Sequence, residues 1–178
     1  MAIKICRLIS EAEVRKRVKE LAQKISTDYT GREPLLVGIL KGAWVFMADL
    51  VRYLTIPVKC DFLAVSSYGA STQTSGIIKI TTDLQSSIAN QDVLLIEDIL
   101  DSGLTLKYII DTLKRRNPRT IKTCVLLDKP ERHQIEIKID YLGFTVPNKF
   151  VVGYGIDYNE QYRHLPYIAY LSEKEIND

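Results

Sequence analysis

The sequence predicts an α/β fold with a central, mainly parallel sheet and helices on both faces. The main evidence is a pattern that occurs twice, in which an apolar strand is followed by a short polar turn and a helix. The two strands begin at Leu35 and Val93 and run apolar without alternation, as strands buried on both faces of a parallel sheet do. A third strand, from Thr120 to Leu127, ends in Asp128 and Lys129. Because such sheets bind ligands at the carboxyl ends of their strands, we expect the functional site there.

The composition is that of an ordinary globular protein, with 46% hydrophobic and 26% charged residues. The length suits one domain with a full core, and we expect residues 1–178 to form it. The net charge of +2 gives no reason to expect a nucleic acid as partner, and no apolar run is long enough for a membrane span. Three cysteines without metal or redox spacing, and no signal peptide, favour a cytoplasmic location.

The first predicted helix begins at a capping box. Ser10 and Glu13 have the spacing at which each side chain can bond the backbone N–H of the other residue. The apolar residues of the helix that follows recur at helical spacing. They are Val14, Val18, Leu21, Ala22 and Ile25.

The strand from Leu35 to Leu40 ends in Lys41 and Gly42, and a helix is predicted from about Ala43 to Leu54. In one interpretation Lys41 is a surface lysine and Gly42 an ordinary turn residue. Their place at the carboxyl end of a parallel strand favours a ligand-binding loop equally well.

Val58 to Val65 predicts the next strand, and Ile77 to Thr82 predicts the strand that returns from it. The segment between them, Ser66–Gly76, is almost entirely small or polar. Composition alone makes this segment a disordered surface loop. It also suits a lid, because a mobile loop beside a reactive site excludes water when it closes.

The stretch from Val93 to Leu106 is the one around which the chain is organised. Glu97 and Asp98 follow the apolar strand, Asp101 comes three residues later, and a predicted helix runs from Leu104 to Arg116. A helix N-terminus after a short loop binds anions, because its first backbone N–H groups are free. Acids beside an anion site fit a ligand with two parts, a phosphate for the loop and hydroxyls or a magnesium ion for the carboxylates.

A simpler alternative is that Asp101 or Ser102 only caps this helix and that Glu97 and Asp98 are solvated. The alternative is adequate for Asp-Ser-Gly alone. The complete fourteen-residue stretch favours a ligand site.

The same stretch resembles the phosphoribosyl-diphosphate-binding motif of the type I phosphoribosyltransferases, which has an apolar strand, Glu-Asp, two apolar residues, Asp, Ser or Thr, Gly, any residue and Thr. The resemblance implies the type I phosphoribosyltransferase fold, with a core from about 35–130 and a small hood from about 1–10 and 131–178. The family often has Lys where this chain has Leu104, as some bacterial members do, which suggests the bacterial type. The implied phosphoribosyl-binding residues are Glu97, Asp98, Asp101, Ser102, Gly103, Leu104 and Thr105.

The resemblance also implies a pyrophosphate site with a magnesium ion. Lys41 and Gly42 match the family's pyrophosphate loop, in which a cis peptide is typical, and two further residues match its lid pair. The implied pyrophosphate-binding residues are Lys41, Gly42, Ser67, Tyr68 and Arg163. The implied Mg²⁺ ligands are Glu97, Asp98 and Asp157.

Three features later in the chain have spacings that resemble the hypoxanthine-guanine branch of this family. They are Lys129 after a predicted strand, the pair Phe150-Val151, and the run Asp157-Tyr-Asn-Glu-X-Tyr-Arg163. In that branch a lysine donates to the oxygen of a 6-oxopurine, an aromatic ring stacks on the base, and the next backbone group binds its edge. Considered singly, Lys129 is a loop lysine, Phe150 a core aromatic and Asp157 a turn acid. The implied purine-binding residues are Lys129, Phe150, Val151, Ile156 and Asp157.

The implied reaction is purine salvage, in which N9 of hypoxanthine or guanine displaces pyrophosphate from phosphoribosyl diphosphate, with Asp101 as general base and acid at N7. Two alternatives remain open: a regulatory protein on the same fold that binds nucleotides without turnover, and a phosphoribosyltransferase for xanthine or a pyrimidine. The resemblance implies a homo-oligomer, a dimer or tetramer; Trp44, Phe46 and Met47 could supply apolar surface for it or could equally belong to the core.

Overall fold

The computed structural model describes residues 3–68 and 77–173. The elements in chain order are β1 (Ile3–Ile9), α1 (Glu11–Asp28), β2 (Leu35–Leu40), α2 (Trp44–Tyr53), β3 (Lys59–Tyr68), β4 (Ile77–Thr82), β5 (Asp92–Leu100), α3 (Leu104–Lys114), β6 (Thr120–Asp128), a 3-10 turn (Pro130–Arg132), β7 (Tyr141–Thr145), β8 (Val151–Val152) and β9 (Ile168–Glu173). None of the helices in these two ranges is both long and apolar enough to cross a membrane.

Six strands form the larger sheet, in the order β4-β3-β2-β5-β6-β7. The pairings of β2 with β3 and β5, and of β6 with β5 and β7, are parallel, whereas β4 runs antiparallel to β3. The predicted α/β fold with a mainly parallel sheet is therefore confirmed. The parallel strands all end at one edge, which we call the carboxyl edge.

Helices cover both faces of this sheet, as the unbroken apolar strands predicted. Leu94 packs with α1 and α2, while its neighbour Leu95 packs with α3 on the opposite face. Both side chains are completely buried. Burial of a leucine side chain contributes on the order of 1.5–3 kcal/mol, so the apolar residues on both faces of this strand favour the layered arrangement.

Helix α1 starts at the predicted capping box and holds the outer strand β7. The Ser10 side chain accepts from the Glu13 backbone N–H, and the Glu13 carboxylate accepts from the Ser10 backbone N–H at 2.8 Å. Further along the helix, Arg17 donates to the carbonyl oxygens of Leu142 and Gly143 at 2.8 and 2.9 Å. These contacts satisfy carbonyl groups of an edge strand that would otherwise be open to pairing.

One segment belongs to a different sheet from the one expected. Residues 131–178 were expected in the small hood, but β7 pairs with β6 and extends the larger sheet to residue 145. The Tyr141 hydroxyl also donates to Asp28 of α1 at 2.8 Å, which ties β7 to the main body. Short β-rich runs broken by Gly and Pro predict strands, but they do not show which sheet a strand joins.

The remaining strands form a three-stranded antiparallel sheet in the order β1-β9-β8. Ile9, Val151 and Ile168 of this small sheet are buried in the same core cluster as α1 and α2. The small sheet therefore packs on the α1 and α2 side of the molecule.

The apolar residues at the start of α2 are mostly core and not surface. Trp44 at its start is 50% exposed, but Phe46 and Met47 are buried in the core. Of the three residues, Trp44 alone supplies surface, because the other two lie on the helix face that packs against the sheet.

The end of the sheet opposite the carboxyl edge is held by a buried acid. Asp92 accepts from Arg119 Nε at 3.0 Å and from the Thr120 hydroxyl at 2.8 Å, and its side chain is fully buried. The hydrogen bonds from Arg119 hold the pKa of Asp92 below its usual value. The acid is therefore charged at neutral pH and joins the starts of β5 and β6.

At the carboxyl edge, β3 continues beyond the parallel sheet. β2 pairs with β3 as far as Ala64, and the four residues from Val65 to Tyr68 pair with β4. The register shifts between Ala64 and Val65. The end of β3 and the start of β4 thus form a two-stranded ribbon.

Candidate active site

The loop after β2 lies directly against the acids at the end of β5. A Cβ placed on Gly42 would lie 1.8 Å from Asp98 Oδ2, so only a glycine fits at this distance. The preceding peptide bond, Leu40–Lys41, is cis, as the resemblance to the family led us to expect. The predicted pyrophosphate loop and the predicted ribose acids are therefore in contact.

A second glycine brings the C-terminal part of the chain to the same loop. Gly155 has a φ of +101°, and a Cβ on it would lie 2.3 Å from the carbonyl oxygen of Gly42. Asp98, Gly42 and Gly155 are therefore stacked in order, with the loop between the sheet and the segment that follows β8.

Two cations and two acids form a network around this loop. Arg163 donates to the Gly155 carbonyl oxygen at 2.7 Å and is ion-paired with Asp157 at 2.8 Å. Glu160 lies 3.1 Å from Lys41 Nζ and 3.5 Å from Arg163 Nη2. Hydrogen bonding to Lys41 lowers the pKa of Glu160, which keeps it a carboxylate. The structure brings Lys41 and Arg163 together as predicted, and it adds Glu160, which the sequence did not single out.

The two acids of β5 are largely withdrawn from water. Glu97 and Asp98 are each 9% exposed. Burial, followed by the neighbouring Asp98 carboxyl, raises the pKa of Glu97 well above its usual value. Glu97 therefore favours its protonated form.

A cavity of about 150 Å³ lies at the N-terminus of α3. Gly103 caps the helix with a φ of +84°, and Ser102 Oγ lies 3.4 Å from the Leu104 backbone nitrogen. The first backbone N–H groups of a helix have no partner within it, so this cavity suits a phosphate. Its lining residues are Glu97, Ile99, Leu100, Asp101, Ser102, Gly103, Thr105 and Leu106.

Lys129, after β6, lies close to Asp101. Its backbone N–H donates to the Leu100 carbonyl oxygen at 3.0 Å, and its Nζ is 3.9 Å from Asp101 Oδ2. The residue is 6% exposed. Burial lowers the pKa of Lys129. The nearby Asp101 carboxylate has the opposite, smaller effect and raises it.

Arg132 was missed in the sequence and also contacts Asp101. Its Nε donates to Asp101 Oδ1 at 2.9 Å. Pro130 begins a 3-10 turn that carries Arg132 back over the sheet edge, one turn after Lys129. The sequence signal that could have identified Arg132 is Pro130, because a proline directly after Lys129 favours a turn that brings the next residues back towards the site.

Apart from Lys129, the expected base-binding residues lie in or beside β8 of the small sheet. Phe150 is 53% exposed, and its ring meets Tyr158 edge-on at 5.3 Å between centroids. Val151 and Ile156, which are close to Phe150 in the sequence, are both buried. An exposed aromatic face has the freedom to stack on a planar ligand.

Some expected site residues are not brought together. Ser67 and Tyr68 are placed by their backbone at the end of β3, paired with Ile78 and Ile77, whereas residues 69–76 of the expected lid lie outside the described residues. Within ranges 3–68 and 77–173, no three His, Cys, Asp or Glu side chains form a metal-binding cluster. Asp157, one of the expected magnesium ligands, is ion-paired with Arg163 at 2.8 Å.

Comparison with known proteins agrees with this geometry. The family model described as "Phosphoribosyl transferase domain" matches residues 9–159. The crystal structure of a hypoxanthine-guanine phosphoribosyltransferase from Bacillus anthracis superposes with a TM-score of 0.89 at 43% identity, covering 97% of this chain and 100% of that one.

Two curated relatives are about half identical. The hypoxanthine-guanine phosphoribosyltransferase of Bacillus subtilis is 51% identical over 92% of this chain and 91% of its own length. The bifunctional protein TilS/HprT of Listeria monocytogenes is 52% identical over 92% of this chain, which spans only 25% of that protein. On these similarities and the geometry above, the chain belongs to the phosphoribosyltransferase family, within its bacterial-type hypoxanthine-guanine branch.

Proposed function

We propose that this protein transfers the 5-phosphoribosyl group from phosphoribosyl diphosphate to hypoxanthine or guanine, giving IMP or GMP and pyrophosphate. The stacking of Asp98, Gly42 and Gly155 is the observation that carries the proposal. It supports a single ligand site at the carboxyl edge, formed by the acids at the end of β5, the loop after β2 and the segment after β8. The relatives named above bear this activity in their names.

The 5-phosphate binds in the cavity at the N-terminus of α3. Backbone N–H groups from Ser102 to Thr105 and the Ser102 hydroxyl donate to its oxygens. Glu97 and Asp98 hold the ribose hydroxyls and so fix C1 in line with the attacking nitrogen. A magnesium ion bound together with the ligand would offset the negative charge of these buried acids.

Pyrophosphate leaves into the loop after β2. Lys41 and Arg163 donate to it, together with the backbone of Gly42 and of the β3 end at Ser67 and Tyr68. The Arg163 Nε is buried and has no hydrogen-bond partner among the described residues, which leaves a donor for an anion.

A magnesium ion fits this donor set, because Mg²⁺ is bound in proteins by one or two carboxylates together with substrate oxygens. Glu97, Asp98 and Asp157 are the residues that would hold it. When bound, it would neutralise charge on the departing pyrophosphate.

The base lies between Phe150 and the β5–β6 strand ends. Lys129 donates to the 6-oxygen, the ring of Phe150 stacks on the purine, and backbone groups at Val151 and Asp157 accept from its C2 edge, with Ile156 as a wall. Asp101 takes the N7 proton as N9 becomes nucleophilic. Arg132 binds Oδ1 of that acid and leaves Oδ2 for the substrate.

The small sheet β1-β9-β8 acts as the hood over this site. We also propose that the enzyme is cytoplasmic and works as a homo-oligomer, supported by the exposed Trp44 on α2. Light scattering at micromolar concentration tests the oligomer, and a monomer would contradict it.

Steady-state rates with hypoxanthine, guanine, xanthine and adenine, each with magnesium phosphoribosyl diphosphate, test the function. Hypoxanthine and guanine should both be used, xanthine poorly, and adenine not at all, because its 6-amino group faces the donor-only Lys129. Adenine as the best substrate would refute the role of Lys129. Binding of nucleotide without turnover of any base would favour a regulatory protein.

A further inference from the structure

Glu160 occupies the space between the two cations that the proposed function assigns to pyrophosphate. Lys41 Nζ lies 3.2 and 3.1 Å from its two carboxylate oxygens, and Arg163 Nη2 lies 3.5 Å from one of them. Lys41 and Glu160 are 119 residues apart in the chain, so the fold, and not local sequence, makes this contact. A carboxylate shares its charge and its acceptor oxygens with a phosphate.

We propose that Glu160 is an internal counterion of the pyrophosphate site, which fills the site in the free enzyme and must be displaced by the diphosphate group. This inference rests on the proposed function and adds to it a residue that weakens pyrophosphate binding. A bound carboxylate competes for the same donors as the ligand, so its displacement reduces the net affinity.

The Glu160 side chain can move without disturbing the backbone around it. Its backbone N–H donates to Asp157 Oδ2 at 2.8 Å, and Tyr158 pairs with Gln161 in a short bridge, which fixes the turn. The side chain itself is 67% exposed. It also lines a cavity of about 780 Å³ that gives the displaced carboxylate space.

The Arg163 guanidinium and the backbone that carries Lys41 remain in place when Glu160 leaves. Arg163 keeps its bonds to the Gly155 carbonyl oxygen and to Asp157. Lys41 remains attached to a loop that Asp98 and Gly155 enclose from both sides. Displacement therefore exchanges one anion for another on a site that is already formed, and release of pyrophosphate is assisted by return of the carboxylate.

Glu160→Gln removes the charge and keeps the shape of the side chain. Calorimetric titration with magnesium pyrophosphate should show roughly 3- to 10-fold tighter binding, as expected from the loss of one or two exposed ion pairs. The difference between variant and wild type should shrink at high salt. In a Lys41→Gln background the same substitution should have a smaller effect, since one of its two partners is gone.

Glu33→Gln is the matched control, because Glu33 pairs with Lys59 at 3.1 Å, the same distance, away from this site. It should leave pyrophosphate affinity unchanged. Unchanged or weaker binding in Glu160→Gln, with binding intact in the wild type, would show that Glu160 instead positions the cations and would overturn the counterion role alone. If neither protein binds pyrophosphate, the proposed function fails as well.

Discussion

Replacing Gly155 by Ala tests whether backbone contacts hold the pyrophosphate loop in place. A Cβ at this position would lie 2.3 Å from the Gly42 carbonyl oxygen, about 1 Å short of an ordinary contact. The Gly42 loop cannot move away from Gly155, because Asp98 lies against its other side and leaves no room there even for a single carbon atom. The new methyl group must therefore displace either the loop or the segment that carries Arg163.

The expected loss has two separable parts. The left-handed backbone costs an alanine roughly 1–2 kcal/mol, and reduced freedom of the unfolded chain returns about 0.4–1 kcal/mol. The remainder, about 1 kcal/mol, lowers Tm by about 2–4 °C in a protein of this size, and the clash with the Gly42 carbonyl oxygen lowers it further. A displacement of about 1 Å between catalytic groups lowers kcat/KM by on the order of 10²-fold.

Gly31→Ala separates the two parts. Gly31 has a φ of +73°, but a Cβ there meets nothing within 4 Å. It should show the decrease in Tm that comes from backbone strain alone, about 2–4 °C by calorimetry, and an unchanged kcat/KM with guanine. Equal kinetics in the Gly155 and Gly31 variants would show that the loop position does not depend on Gly155.

Three other substitutions have definite expected outcomes. Asp101→Asn should keep the fold and phosphoribosyl-diphosphate binding but lose roughly 10²–10⁴-fold in kcat, as removal of a general base does. An unchanged kcat would show that a group other than Asp101 accepts the N7 proton. Arg132→Gln should lower kcat by about tenfold and add little to Asp101→Asn if it acts through that acid, whereas additive losses would contradict this. Asp92→Asn should reduce the free energy of unfolding by about 2–3 kcal/mol, which lowers Tm by about 4–12 °C at pH 7, and it should leave KM unchanged. The pKa of Asp92 is lowered in the folded state, so its stabilisation is present above the unfolded pKa near 3.8, and the Tm difference should narrow as pH falls below that value.

Much of the fold follows from local patterns in the sequence. Leu94 and Leu95 point to opposite faces of their strand, so two adjacent apolar residues require a cover on both sides. The capping box at Ser10 and Glu13 marks the start of α1 by its own hydrogen bonds. The positions of Lys41, Glu97 and Lys129 at strand ends then place them at one edge, because parallel strands end together.

Features that depend on contacts between distant segments were not predictable in this way. Glu160 meets Lys41 only because Gly155 packs on Gly42. Arg132 reaches Asp101 through a turn whose direction depends on the completed sheet edge. The assignment of β7 to the larger sheet likewise rests on its pairing with β6, since alternation within a strand is the same whichever partner it has.

The ribbon at the end of β3 has a mechanical consequence. The first part of β3, from Lys59 to Leu63, pairs with β2, whereas the part from Val65 to Tyr68 pairs with β4, and Ala64 between them pairs with both. The register shift falls at the junction between the two parts, and irregularities of this kind bend and twist a strand locally. A bend of the paired part of β3 and β4 about this junction therefore leaves every hydrogen bond between β2 and β3 intact, so the parallel sheet is not disturbed by it.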